Sequence, residues 1–145
     1  MPRKPVWSAI ADTLRIATTG LALDNTPVDR EVAGVVTGVE VADLDADQSP
    51  EVYVFIRPAR PDGRLALVAF SANRRKSLGE ITLPAIEDSP GAADGFVGPE
   101  QMAIVESAFM RRFAVGRDGR TRQMQYRLVP GEAGWRLKLE RTDEF

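Results

Sequence analysis

The feature that most constrains the fold of this chain is a strict alternation of apolar and polar side chains near its carboxyl end. Apolar residues occupy every second position on both sides of the turn sequence VPGEAG, namely Met124, Tyr126, Leu128, Trp135, Leu137 and Leu139. Charged and amide side chains fill the positions between them. Because successive side chains of a strand point to opposite faces, this pattern predicts a β-hairpin with one apolar and one polar face.

Shorter runs with similar alternation occur along the rest of the chain, separated by clusters of Gly, Pro and Asp. They predict strands at 14–18, 20–23, 32–41, 51–57, 64–71 and 81–83, with bulges or close packing at Gly34 and Gly38. Residues 86–100 predict a long surface excursion, and for 101–115 we favour a strand over an amphipathic helix. Together these elements predict a single all-β domain over 1–145, an antiparallel β-sandwich with long surface loops and room for one short helix.

Composition removes several classes of function. The chain has 19 basic and 21 acidic side chains and a net charge of −2, so we do not expect a dedicated nucleic-acid binder. It contains neither cysteine nor histidine, which removes thiolate metal sites, disulfides and the commonest general base. It also lacks a P-loop, a dinucleotide-binding glycine motif and a G-x-S-x-G motif. We therefore expect a binding protein without a cofactor rather than an enzyme.

The chain shows no segment of the kind that enters a membrane or directs export. No apolar run reaches the length of a transmembrane helix, so membrane insertion is not expected. The first twenty residues, MPRKPVWSAIADTLRIATTG, lack the apolar region of a secretory signal peptide. A homodimer is compatible with a sandwich, because strand edges and apolar strand faces often pair.

The stretch VADLDADQSPEVYV carries three alternating aspartates, Asp43, Asp45 and Asp47, directly before an apolar run. Counted from Asp43, position 6 of an EF-hand loop is Gln48 and position 12 is Val54, which excludes that motif. A looser D-x-D-x-D calcium loop stays open, and with it a calcium-dependent carbohydrate binder or a hydrolase. We favour a tight turn without metal, in which the aspartates accept hydrogen bonds from nearby backbone N–H groups.

The loop RPARPDGR, at residues 57–64, is a candidate partner-binding site. Its three arginines supply planar donors that suit carboxylates, and its two prolines reduce the entropy that ordering on binding would cost. The alternative is a solvated hairpin whose arginines only keep the surface soluble. We predict a binding loop formed by Arg57, Arg60, Asp62, Gly63 and Arg64.

Three segments of the chain together resemble a known family. They are GLALDNTPVDREVAGVVTGVEVADLDADQSPEVYVFI (20–56), AFSANRRKSLGEITLP (69–84) and TRQMQYRLVPGEAGWRLKLER (121–141). Their order and spacing resemble those of the periplasmic inhibitors of invertebrate-type lysozyme, whereas residues 1–19 match only weakly. The resemblance implies an antiparallel β-sandwich, a periplasmic location in a Gram-negative bacterium, and blockade of an invertebrate-type (i-type) lysozyme by a loop inserted into its substrate cleft.

The resemblance breaks at the inhibitory loop. Members of the family typically carry a Ser-Gly-Ser-Tyr-like stretch there, whereas this chain has FIRPARPDGRLALVAF, at 55–70, with neither serine nor tyrosine. The arginines would therefore have to replace the neutral donors of the family. The alternative is a binding module of the bacterial envelope that uses the same scaffold to recognise an acidic protein or a cell-wall polymer.

Overall fold

The computed structural model describes residues 11–145, and it is built almost entirely from strands. The strands are β1 (Ala11–Ile16), β2 (Val28–Ala42), β3 (Glu51–Pro58), β4 (Ala66–Ser71), β5 (Gly79–Thr82), β6 (Gln101–Val105), β7 (Ala108–Val115), β8 (Arg120–Pro130) and β9 (Trp135–Glu144). A single 3₁₀ turn (Ile86–Asp88) interrupts the excursion between β5 and β6. No helix within the described residues has the length and apolar character needed to cross a bilayer.

All nine strands belong to one sheet, in the order β1-β2-β3-β4-β5-β9-β8-β7-β6. Neighbouring strands are antiparallel except β5 and β9, which pair in parallel through Ile81 with Trp135 and Thr82 with Arg136. This short pairing joins the amino-terminal strands to the hairpins β6–β7 and β8–β9. The predicted all-β fold is confirmed, and its two layers are parts of one continuous, mainly antiparallel sheet.

The main core lies between β3 on one side and β7 and β8 on the other. The ring of Phe109 on β7 lies 6.2 Å from that of Tyr53 and 6.5 Å from that of Phe55, both on β3. It also meets Tyr126 on β8 edge-to-face at 5.9 Å. Strands that are distant in the sheet order thus face each other, so the sheet folds back on itself and buries apolar area as a sandwich does.

Two predicted elements differ from the structure. Residues 20–23 are not a strand; the backbone N–H groups of Ala22 and Leu23 donate to the carbonyls of Arg75 and Lys76, outside any strand ladder. The segment 101–115 is extended, as favoured, but a turn that includes Glu106, with φ of +56°, divides it into β6 and β7. Of the weakly matched segment 1–19, residues 1–10 lie outside the described residues.

The glycines of β2 sit where the sequence predicted bulges or close packing. The register between β2 and β3 shifts between Val36 and Gly38, which is a bulge. At Gly34, an added Cβ would collide with the carbonyl of Arg57 and lie 2.7 Å from the Cα of Pro58. The absence of a side chain at Gly34 therefore allows β2 to approach the end of β3.

Candidate functional site

The predicted binding loop, residues 57–64, connects β3 to β4, and with Leu65 it is called here the arginine hairpin (57–65); it is bonded to Glu100, just before β6. The carbonyl of Gly63 accepts the backbone N–H of Glu100 at 2.7 Å, and the N–H of Leu65 donates to Glu100 Oε1 at 2.8 Å. Gly63 has a φ of +73°, a conformation that glycine adopts without steric cost. Both bonds hold the hairpin against the segment that precedes β6.

Glu100 itself is anchored by a buried ion pair. Its Oε2 lies 2.6 Å from Nε of Arg111, and both side chains are almost completely buried. Arg111 also donates to the carbonyl of Pro84 at 3.0 Å and to the hydroxyl of Tyr126 at 3.4 Å. A buried carboxylate is tolerated when it has such partners, so this pair forms a rigid base beneath the arginine hairpin.

The structure places Arg60, Asp62 and Arg64 along one groove and Arg57 along another, and it gives the three arginines different contacts. Arg64 donates two hydrogen bonds to Glu87, at 3.2 and 2.7 Å, and they lower the pKa of that carboxyl. The guanidinium of Arg64 also lies 4.5 Å from the centre of the Phe96 ring. Arg57 is half-buried and donates to the carbonyl of Glu100 at 3.4 Å. Arg60 is 60% exposed and has only the exposed Asp62 beside it, at 3.6 Å. Arg60 is therefore the arginine most available to a partner.

A groove of about 550 Å³ opens beside the arginine hairpin. Arg60, Asp62 and Arg64 line it from the hairpin, while Glu80, Thr82 and Glu87 line it from β5 and the segment that follows. Its walls carry both signs of charge, so it suits a polar segment of a partner better than an apolar ligand.

The aspartate loop between β2 and β3 has the side-chain to backbone hydrogen bonds predicted for a tight turn. Asp43 accepts the backbone N–H groups of Asp47 at 3.2 Å and Gln48 at 2.8 Å. Asp45 accepts the N–H of Asp47 at 3.4 Å, and Asp47 accepts that of Ser49 at 2.8 Å. These bonds satisfy a run of loop donors with side-chain oxygens, as Asx turns do.

Glu51, the first residue of β3, joins the three aspartates. One carboxylate oxygen from each of these four residues lies within 4.8 Å of the others, and the set is called here the carboxylate cluster. Glu51 is 1% exposed, and its Oε1 accepts the N–H of Leu44 at 2.7 Å and the hydroxyl of Tyr53 at 3.2 Å. Its Oε2, like Oδ2 of Asp47, is buried and has no hydrogen-bond donor among the described residues.

Two members of the carboxylate cluster, Glu51 and Asp45, have raised pKa values. Burial, with the charges of neighbouring aspartates added, raises the pKa of Glu51 to about 8, and burial together with the charge of Asp47 raises that of Asp45 to about 6. No lysine or arginine in the described part of the chain forms a salt bridge with any of the four carboxylates. These oxygens are the group in the described structure that could hold a hard cation.

Sequence reasoning missed Glu51, Glu87, Glu100 and Arg111. The EF-hand count tested position 12 for a glutamate, whereas Glu51 stands at position 9 and enters the cluster because β3 begins there. Glu100 and Arg111 were missed because 101–115 was interpreted as one extended element, whereas its division into the hairpin β6–β7 places Glu100, just before β6, beside Arg111 on β7. Glu87 lies in a segment interpreted only as a surface excursion, and its pairing with Arg64 follows from the tertiary fold.

No protein-family model, curated protein or solved structure matches the chain.

Proposed function

We propose that this protein is a binding protein, not an enzyme, and that it blocks an i-type lysozyme by inserting the arginine hairpin into the substrate cleft. The observation that carries the proposal is the construction of the hairpin. Two hydrogen bonds between its backbone and Glu100, one donated by Leu65 and one accepted by Gly63, hold it in place together with the paired contact of Arg64 with Glu87, and Arg60 is left exposed. The periplasm, where such an enzyme would threaten peptidoglycan, is the location that belongs to this proposal.

A rigid hairpin suits inhibition because its backbone loses conformational entropy during folding and not on binding. A flexible loop that becomes fixed in a cleft loses side-chain and backbone freedom on binding, and that loss subtracts from affinity. Here Gly63 and Leu65 are already tied to Glu100. Less of the binding energy gained in the cleft would therefore be lost to ordering the hairpin backbone.

The positive charge and planar donors of Arg60 are complementary to the carboxylates of a glycosidase cleft. Such clefts carry a pair of carboxylic side chains beside the scissile bond. A guanidinium forms two parallel charge-assisted hydrogen bonds with a carboxylate. The contact between Arg60 and Asp62 is long, at 3.6 Å, and solvent-exposed. Giving it up for a carboxylate of the enzyme would therefore cost only about 0–1 kcal/mol.

The test is titration of an i-type lysozyme with this protein, beside chicken-type and goose-type enzymes. We expect selective, saturable inhibition of the i-type enzyme and a loss of at least tenfold in inhibition for Arg60→Ala. The matched control is Arg141→Ala, because Arg141 is equally exposed and pairs with the second following residue, Asp143, at 2.9 Å. Equal inhibition by both variants would remove the arginine hairpin from the mechanism.

A second candidate is a binding module for an acidic envelope protein or cell-wall polymer. The observation in its favour is that the hairpin has neither the serine nor the tyrosine of the inhibitor family, while it offers Arg60 and a groove of mixed charge. Folded protein that inhibits none of the three lysozymes, but retains an acidic partner from an envelope extract through Arg60, would replace the first candidate with this one.

A further inference from the structure

The carboxylate cluster contains buried oxygens that nothing in the described structure satisfies. Oε2 of Glu51 and Oδ2 of Asp47 are both buried without a donor. Buried polar atoms in folded proteins are almost always hydrogen-bonded, because an unpartnered buried oxygen loses its hydration without replacement, so each exception calls for a missing partner. Glu51 is 1% exposed, so bulk water does not supply that partner, and the nearest group of unneutralised charges is the carboxylate cluster itself.

A positively charged partner fits better than a proton or a neutral donor. Four acidic groups converge within 4.8 Å, and one proton on Glu51 would still leave three aspartates crowded together. No lysine or arginine of residues 11–145 pairs with them. A bound cation would neutralise the charges together and occupy the free lone pairs of Glu51 and Asp47.

We propose that the carboxylate cluster binds one calcium ion. Its ligands are oxygens alone, without nitrogen or sulfur, which selects a hard cation over zinc or copper. Two oxygens on opposite sides of a calcium ion, each at about 2.4 Å, are about 4.8 Å apart. The oxygens of the cluster lie within that span. Magnesium requires shorter bonds and near-ideal octahedral geometry and retains several waters, so a set of four carboxylates from an irregular loop and the start of β3 suits it less.

The hydrogen bonds of the loop preorganise these ligands. Oδ1 of Asp47 is fixed by the N–H of Ser49, and Oε1 of Glu51 by the N–H of Leu44, so in both residues the second oxygen remains available. Oxygens of Asp43 that accept backbone N–H groups keep a further lone pair for a cation. The calcium site is independent of the arginine hairpin and therefore of the proposed function.

The primary test is equilibrium dialysis of the folded chain against calcium, with magnesium as competitor. We expect one calcium ion per chain, at least tenfold preference over magnesium, and a rise of several degrees in Tm that a chelator reverses. Failure of the folded protein to retain calcium at millimolar concentration would overturn the proposal. So would equal binding of magnesium.

Variants locate the ion. Asp45→Asn should weaken calcium binding at least tenfold, while Asp118→Asn should not change it. Asp118 is a close control, because its Oδ1 accepts the N–H two residues ahead at 3.4 Å, as Oδ1 of Asp45 does. Glu51→Gln should also weaken binding, and Asp45→Asn keeps the test decisive if that buried substitution unfolds the chain. Equal affinities of the variants at 45 and 118 would place the ion elsewhere.

Terbium luminescence gives an independent readout, since a tyrosine close to the ion transfers excitation energy to it. The hydroxyl of Tyr53 lies 3.2 Å from Oε1 of Glu51, so this tyrosine should sensitise terbium bound in the cluster, and calcium should displace the terbium. In Tyr53→Phe the luminescence should be largely lost. Full luminescence in that variant would overturn the assignment to this loop.

Discussion

Replacing Arg111 by alanine tests how much the buried ion pair between Glu100 and Arg111, beneath the arginine hairpin, contributes to the stability of the fold. The substitution leaves Glu100, which is completely buried, without the guanidinium 2.6 Å from its Oε2. Breaking a buried ion pair on one side costs roughly 3–5 kcal/mol, because the remaining charge is uncompensated. The carbonyl of Pro84 and the hydroxyl of Tyr126 also lose a donor. We therefore expect a loss of about 4 kcal/mol in the free energy of unfolding.

Urea unfolding followed by tryptophan fluorescence or circular dichroism measures this loss. With a slope of about 2 kcal/mol per molar urea, a loss of about 4 kcal/mol lowers the midpoint by about 2 M. The control is Arg112→Ala on the same strand, because Arg112 is exposed and contacts Gln123 at 2.7 Å on the surface. A surface change of this kind is expected to alter stability by less than about 0.5 kcal/mol.

A double variant separates uncompensated charge from lost packing. In Glu100→Gln with Arg111→Met, no buried charge remains, the amide oxygen can still accept the N–H of Leu65, and methionine restores most of the volume. We expect it to regain most of the stability lost by Arg111→Ala. A double variant as unstable as the single one, or a single variant as stable as Arg112→Ala, would refute the explanation by a buried charge.

Two further substitutions test the fold. Phe109→Ala should cost about 3–5 kcal/mol in urea unfolding, because this fully buried ring joins β7 to β3, whereas Val41→Ala at a 70% exposed position should change little. Gly34→Ala should lower the free energy of unfolding by at least about 1–3 kcal/mol, because the new Cβ would collide with the carbonyl of Arg57. Wild-type stability of that variant in thermal or urea unfolding would disprove the close approach of β2 to β3.

The sequence was informative where structure depends on neighbouring residues. The alternation from Met124 to Leu139 predicted the hairpin β8–β9, and Met124 and Leu137 are buried as that pattern required. The glycines of β2 marked a bulge and a close approach, because glycine in a strand has few other reasons to be there. The alternation also favoured a strand for 101–115, but it gave no warning of the turn that includes Glu106.

What the sequence could not reveal depends on residues that are distant along the chain. The parallel pairing of Ile81 with Trp135 makes one sheet of two groups of strands, and no local pattern encodes it. The three arginines of the hairpin could not be distinguished from the sequence, because the partners of Arg57 and Arg64 are also distant along the chain. Arg64 is engaged because Glu87 lies beside it in the folded chain, 23 residues later, and only Arg60 keeps the exposure that recognition needs.

The two proposed sites lie at opposite ends of β3, which makes their tests separable. The carboxylate cluster includes Glu51, the first residue of that strand, and the arginine hairpin begins at its end, next to Pro58. At about 3.3 Å per residue, the seven steps between these ends span about 23 Å. A cation at one end and a partner at the other are too far apart for direct contact, and each would bind its own ligands. Absence of lysozyme inhibition would therefore leave the calcium site standing, and absence of calcium binding would leave the hairpin free to inhibit.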